Sequence, residues 1–222
     1  MPPGISTNIQ TLLAQARLAS GTGDLGAANW LRKLEPSEDD KAFGTALAAL
    51  LRVVEAEKFS ESHADAARAL LEKYPAENVR RYGIGAVLVR YLAGRPDGKA
   101  ALALSAQLIG DLAGAEAKLP AGDFGATVAP AMIRFYRGEA LRKAGQPADA
   151  LVEYQTVLSV YPYNEWPDAA AFGVAACFEA LGDSATARNR YEEIVKSSGK
   201  SPESLAWRAL AEKRLEALKK GE

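Results

Sequence analysis

The stretch "GEALRKAGQPADALVEYQTVLSVYP", residues 138–162, reads as the end of one helix, a turn, and a second helix closed by proline. Gly145 follows a helical run, where a left-handed cap suits a residue without Cβ. Ala150, Tyr154, Val157 and Leu158 come after it. In the next segment Gly182 is followed by Ala187, Tyr191, Ile194 and Val195, with identical offsets of five, four, three and one. The two units stand 37 residues apart, and a further cap-plus-helix begins 34 residues after Asp168. Recurrence at this period marks stacked helix hairpins. Each position has a physical task. The glycine turns the chain, and the alanine lets two helices cross closely. The tyrosine, one turn later, fills the space towards the next repeat, and the valine or isoleucine three residues on shares its face.

Outward from this core the dominant period remains helical. Alanine, leucine, glutamate, arginine and lysine abound, and β-branched alternation is nearly absent. About eleven helices are expected, near 6–20, 24–34, 38–57, 62–74, 78–93, 98–117, 123–144, 147–161, 167–181, 184–198 and 202–219. Start signals support them. Thr7 to Gln10 reads as a capping box, Ser37 precedes Glu38, Asp39 and Asp40, and Ser201 precedes Pro202 and Glu203. Gly21, Gly94, Gly145 and Gly182 each follow a helical run as stop signals. Connections are short, so successive helices should pair antiparallel. The longest irregular stretch, Leu119 to Ala129, divides the chain into an N-terminal part over 1–118, a connecting loop over 119–130, and a C-terminal part over 131–222.

The repeat resembles the tetratricopeptide family. Gly138, Gly145, Ala150, Tyr154 and Pro162 match its pattern in one unit, and Ala175, Gly182, Asp183, Ala187 and Tyr191 match it in the next. Gly199 stands where that second unit would carry its final proline. Residues 131–219 carry the resemblance most fully. Over 44–117 it rests on fewer positions, Leu70, Leu71, Pro75, Gly85 and Leu88 among them, and before that only on Gly23, Asp24 and Ala28. The resemblance implies an all-α fold, a right-handed solenoid of antiparallel helix hairpins. Five extra residues, Tyr163 to Pro167, separate Pro162 from Asp168. With its surroundings this insertion is similar to repeats of bacterial cell-envelope proteins of the superfamily, such as outer-membrane assembly lipoproteins and periplasmic coordinators, and of single-anchor subunits associated with the secretion translocon.

Composition narrows the function. Of 222 residues, 48% are apolar and 25% charged, and 27 cations against 28 acids give a formal net charge of −1. No global field favours nucleic acid or an anionic membrane. Cys177 is the only cysteine, which excludes an intrachain disulfide and a thiolate zinc site. The start, Met1-Pro2-Pro3-Gly4, lacks the basic and apolar regions of a signal peptide, and no segment reaches the roughly 20 apolar residues of a membrane helix. The expected location is cytoplasmic, or periplasmic and envelope-bound where an anchor precedes Pro2.

The chemical inventory is thin. His63, the single histidine, starts a second helix and reads as structural or solvated, and Cys177 reads as a small buried hydrophobe within "AAFGVAACFEAL". Gly94 to Ala100 is one residue short of a phosphate loop and places Ala100 where the metal-binding hydroxyl belongs. Asp39-Asp40 and Glu192-Glu193 are sequence neighbours, about 100° apart on a helix, and do not face each other. No catalytic, metal or cofactor site is expected.

What the resemblance implies instead is a concave groove lined by first helices, where a peptide or protein partner lies. The matching inward positions are Tyr82, Ala86, Val89 and Arg90, then Met132, Phe135, Glu139, Arg142 and Lys143, then Phe172, Ala176 and Glu179, with Lys213 and Arg214 on the last helix. The same residues have plainer roles. Arg90, Arg142 and Lys143 sit in last turns, where cations complement the helix dipole, and Phe135 or Phe172 suits a core equally well. A lysine and asparagine clamp for a terminal carboxylate is not supported, because Phe135 and Glu139 occupy the matching positions. Arg134 and Arg137 stand where the repeat wants apolar residues. Either their stems pack while the guanidinium groups reach water, or an extra helix from 119–129 covers this edge. Trp166 and Trp207 read as core or as a second interface on the convex side. The expected function is a non-catalytic scaffold for a protein partner, without nucleic acid or membrane insertion; the alternative is a self-assembling oligomer.

Overall fold

A computed structural model describes residues 59–96, 98–115, 124–162, 166–197, 199 and 201–220. The helices expected at 6–20, 24–34 and 38–57, with the signals at Thr7, Gly21 and Ser37, lie outside the described residues. Within them the chain is helical throughout, with no strand. Eight helices follow in order: α1 (Glu61–Glu72), α2 (Val79–Ala93), α3 (Lys99–Ala115), α4 (Phe124–Lys143), α5 (Pro147–Val160), α6 (Trp166–Ala180), α7 (Ser184–Ser197) and α8 (Pro202–Lys220). Their bounds fall within two residues of the expected ones, because caps rather than propensity set them. Helix α4 is the one expected over 123–144, and its first turns, Phe124 to Pro130, take up part of the stretch also read as the connecting loop, although Pro130 costs an intrahelical hydrogen bond there.

Two compact units divide the chain, residues 1–92 with 107–129, and residues 93–106 with 130–222. In the first unit, α1 and α2 form a hairpin whose turn is held by side chains. Arg81 donates to the carbonyls of Leu71 and Tyr74 at the end of α1, at 3.1 and 3.0 Å, and to Asp111 Oδ2 of α3 at 3.0 and 2.8 Å. The Tyr82 hydroxyl donates to the Ala76 carbonyl at 2.7 Å. Gly85 allows close crossing of α2 and α3, since a Cβ there would overlap the Leu108 side chain. Ser60 caps α1 together with His63, whose Nδ1 accepts the Ser60 backbone N–H at 3.1 Å. His63 is buried and stacks near Phe59, a structural position.

In the second unit the repeat reads out as geometry. After α4, Gln146 N–H donates to Leu141 O at 2.9 Å and Gly145 N–H to Arg142 O at 3.1 Å. After α6, Asp183 N–H donates to Phe178 O at 2.9 Å and Gly182 N–H to Glu179 O at 3.1 Å. Both ends are therefore Schellman caps, with Gly145 at φ 74° and Gly182 at φ 83°. Gly94 is not of this kind. The third glycine with positive φ among the described residues is Gly98, just before α3. Asp183 caps α7 by accepting the Thr186 N–H, which holds its carboxyl below the usual range, and Ser201 caps α8 by accepting the Ser204 N–H at 3.1 Å. Helix α6 packs against α5, α7 and α8, and α7 packs against α8.

Candidate partner-binding face

Two tyrosine sockets organise the second unit. The Tyr154 ring on α5 is fully buried between two glycines, Gly138 on α4 and Gly173 on α6; a Cβ at either would lie 2.7 Å from the ring. The tyrosine thus fills the space between its own hairpin and the next helix. Its hydroxyl donates to Glu139 Oε1 at 2.6 Å, and the other oxygen of that carboxylate accepts from Arg142 Nη2 at 2.9 Å. Burial, and then the Glu139 charge, push the Tyr154 phenol far above its ordinary value. Burial alone would lower the Arg142 guanidinium, but the hydrogen bond and charge of Glu139 outweigh it and raise it. Cys177 is buried in the same cluster, and burial pushes its thiol up to about 11. Phenol and thiol both hold their protons at neutral pH, and the group joins α4, α5 and α6.

The second socket is built differently. Tyr191 on α7 sits with Ala175 of α6 and Ala211 of α8. Its hydroxyl donates to Glu179 Oε2 at 3.1 Å, and Arg214 of α8 grips the same carboxylate with Nε, at 3.1 Å to Oε2, and with Nη2 to Oε1. Burial and the Glu179 charge raise the Tyr191 phenol, and the Glu179 hydrogen bond raises Arg214.

Between these sockets runs a chain of rings. Phe135 on α4 lies 5.3 Å from Trp166 and 6.2 Å from Trp207, centroid to centroid, and Phe172 on α6 lies 5.3 Å from Trp207 and 5.3 Å from Tyr191. Tyr136 meets Trp166 at 5.8 Å. Trp166 of α6 therefore lies against two rings of α4, and Trp207 of α8 lies against one ring of α4 and one of α6. Phe135, Phe172 and Trp207 are successive members of one column, 37 and then 35 residues apart. Arg142, Glu179 and Arg214 repeat at the same two spacings. No protein-family model matches this chain. No curated protein and no solved structure matches it either.

The residues expected to line a groove separate by depth. In the first unit Tyr82, Ala86 and Val89 are buried, and Arg90 is partly exposed. In the second, Met132 and Phe135 are buried at 2% and 4% exposure, which leaves them no surface for a ligand in this conformation. Glu139, Arg142, Phe172, Ala176 and Glu179 are half-buried, and Lys143, Lys213 and Arg214 are exposed. Lys143 Nζ donates to the Ala93 carbonyl at 2.7 Å, so it closes the end of α2.

Arg134 and Arg137 resolve in a third way. Both meet Glu153 of α5, at 2.9 and 3.0 Å, and Arg137 also donates to the Leu102 carbonyl and the Ser105 hydroxyl of α3 at 2.9 and 3.2 Å. The edge is covered by α3, where a chain of polar contacts replaces the usual apolar ones. Among the described residues no group of three or more His, Cys, Asp or Glu gathers as metal ligands, and no helix is long and apolar enough to cross a membrane.

Proposed function

We propose that this chain is a non-catalytic scaffold of the tetratricopeptide type, a solenoid of about eleven helices that binds a protein or peptide partner along α4 and α6. The observation that carries this reading is the column Phe135, Phe172 and Trp207. Neighbouring packed helices stand about 8–10 Å apart, so rings on next-nearest helices meet most readily where the face they share is concave. Phe135 and Trp207 do meet, across α6, at 6.2 Å. Partly exposed rings beside guanidinium groups are the composition of interface hot spots, and α4 and α6 offer Tyr136, Trp166 and Phe172 with Arg142. The matching Schellman caps support the repeat, and the upward shifts of Tyr154 and Cys177 fit a structural role for the most buried ionisable groups.

Affinity capture with the full chain, followed by calorimetric titration of what co-purifies, tests the reading. Phe172→Ala, checked for folding by circular dichroism, should weaken the titrated complex by about tenfold or more. Undiminished affinity in a folded variant removes the face from consideration.

The alternative reading, self-assembly, draws on Leu205 and Leu210, exposed at 49% and 44% on α8, and on Val152 and Val160, exposed on α5. Light scattering that reports a monomer at high concentration excludes it.

A further inference from the structure

Three of the residues assigned to the partner's face are already engaged by one helix. Trp207 of α8 covers Phe135 and Phe172, and Arg214 of α8, two turns further on, grips Glu179. Yet α8 is shallowly seated. Among its described side chains only Ser204 and Ala211 are buried, with Trp207, Leu215 and Leu218 half-exposed beside them. Helix α6, by contrast, buries Ala169, Ala170, Gly173, Val174, Ala175 and Cys177. The link to α7 is the short polar run Ser198, Gly199, Lys200 and Ser201.

We propose that α8 is a resident occupant of the binding face, and that the partner supplies an amphipathic helix carrying an aromatic ring and, seven residues later, a guanidinium, which takes its place. The argument rests on the functional reading above and adds the chemistry of its ligand. Residues seven apart lie on one helical face, so a ring and a cation at this spacing reach Phe135 and Phe172 at one end and Glu179 at the other, as Trp207 and Arg214 do. Local opening is drawn from elements with few buried apolar contacts and solvent-facing ties, and α8 is such an element. The resident helix lowers the apparent affinity for the incoming one by the fraction of time it is seated. Its charge pair is the point at which the balance is set, because Glu179 can satisfy one guanidinium clasp at a time.

Hydrogen exchange on the intact chain and anisotropy of a labelled peptide test this together. The probe is a synthetic peptide of residues 201–220, which carries the ring and the cation at the required spacing. In the native chain α8 amides should exchange at least tenfold faster than those of α6, and Arg214→Glu should widen the gap. The labelled peptide should bind the Arg214→Glu chain at least tenfold more tightly than the native one, and a peptide with Trp207→Ala should lose that binding. Exchange of α8 in one cooperative unit with α6 overturns the proposal, and this arm needs no variant to fold. So does a loosened α8 with no peptide binding. Dimers of the Arg214→Glu chain in place of peptide binding would make the occupant a second copy and overturn it equally. The Phe172→Ala titration is independent, so loss of the helix-exchange idea leaves the partner's face standing.

Discussion

Tyr154 and Tyr191 occupy the same place in two successive hairpins, and the surroundings differ in kind. Around Tyr154 the helices approach so closely that both neighbours are glycine, and the carboxylate that takes its hydroxyl is neutralised by Arg142 from the same helix, one turn on. Around Tyr191 the neighbours carry methyl groups, and the neutralising cation is Arg214, borrowed from the next helix. The first socket is complete within its own hairpin and the helix packed on it. The second depends on α8 for its charge balance. One local pattern thus yields a seat neutralised within its own hairpin and another neutralised from the next helix.

The sharpest way to break this comparison is to crowd the closed seat. Gly173→Ala places a methyl against the Tyr154 ring and should cost about 1–3 kcal/mol in urea unfolding, whereas Ala175→Gly, which opens space in the other seat, should cost about 1 kcal/mol through helix propensity. Equal losses at the two positions would mean that the inner seat has more slack than its geometry indicates.

Removing the hydroxyls makes a smaller test. Tyr154→Phe deprives a half-buried carboxylate of a 2.6 Å partner and should cost about 2 kcal/mol. Tyr191→Phe leaves Glu179 with both contacts from Arg214, and a loss below about 1 kcal/mol is expected by the same measurement. The order of the two losses, more than either value, checks the contrast.

The gentlest effect is on pH. Cys177 belongs to the Tyr154 cluster, and its thiol is raised from near 9 to about 11 by burial. The folded state holds that proton more tightly than the unfolded one, so the contribution is fully present below pH 9 and is lost as pH climbs towards 11. Tyr82, raised from 10 to about 12, chiefly by burial, adds a second decline from pH 10 upward. Melting temperatures taken between pH 7 and 10.5 should fall more gently above pH 9 in Cys177→Ala than in the native chain; parallel curves would remove the thiol from the account.

Much of the helical layout was legible because its signals are local. Gly145, Gly182, Asp183 and Ser201 each cap a helix through contacts within a few residues, so reading them needed no tertiary knowledge. The tyrosine sockets were legible for a related reason: a large ring at a fixed offset from a cap must fill the gap its own hairpin creates. The depth of the expected lining residues was not. Helical periodicity tells which residues share a stripe, but not how deeply a neighbour covers it, and Met132 and Phe135 lie buried where an open groove was expected. Arg134 and Arg137 were read against nearby sequence, yet both meet Glu153 of the next helix, and Arg137 also reaches Leu102 and Ser105 on α3, more than thirty residues away. Trp207 gave a usable signal that its own surroundings hide: it continues the spacing of Phe135 and Phe172, which shows only when all three helices are laid in one register.

The two Schellman caps carry one more consequence. Because the chain leaves α4 and α6 through the same pair of hydrogen bonds and the same left-handed glycine, the block from Gln146 to Gly182 has interchangeable ends. A duplicate spliced after Gly182 would meet a junction stereochemically equal to its native one, and the turn would need no redesign. The interior would object instead, since the copied Tyr154 would face the methyl of Ala175 where Gly138 gave it room. Lengthening such a chain is therefore free at its corners and constrained at its contacts.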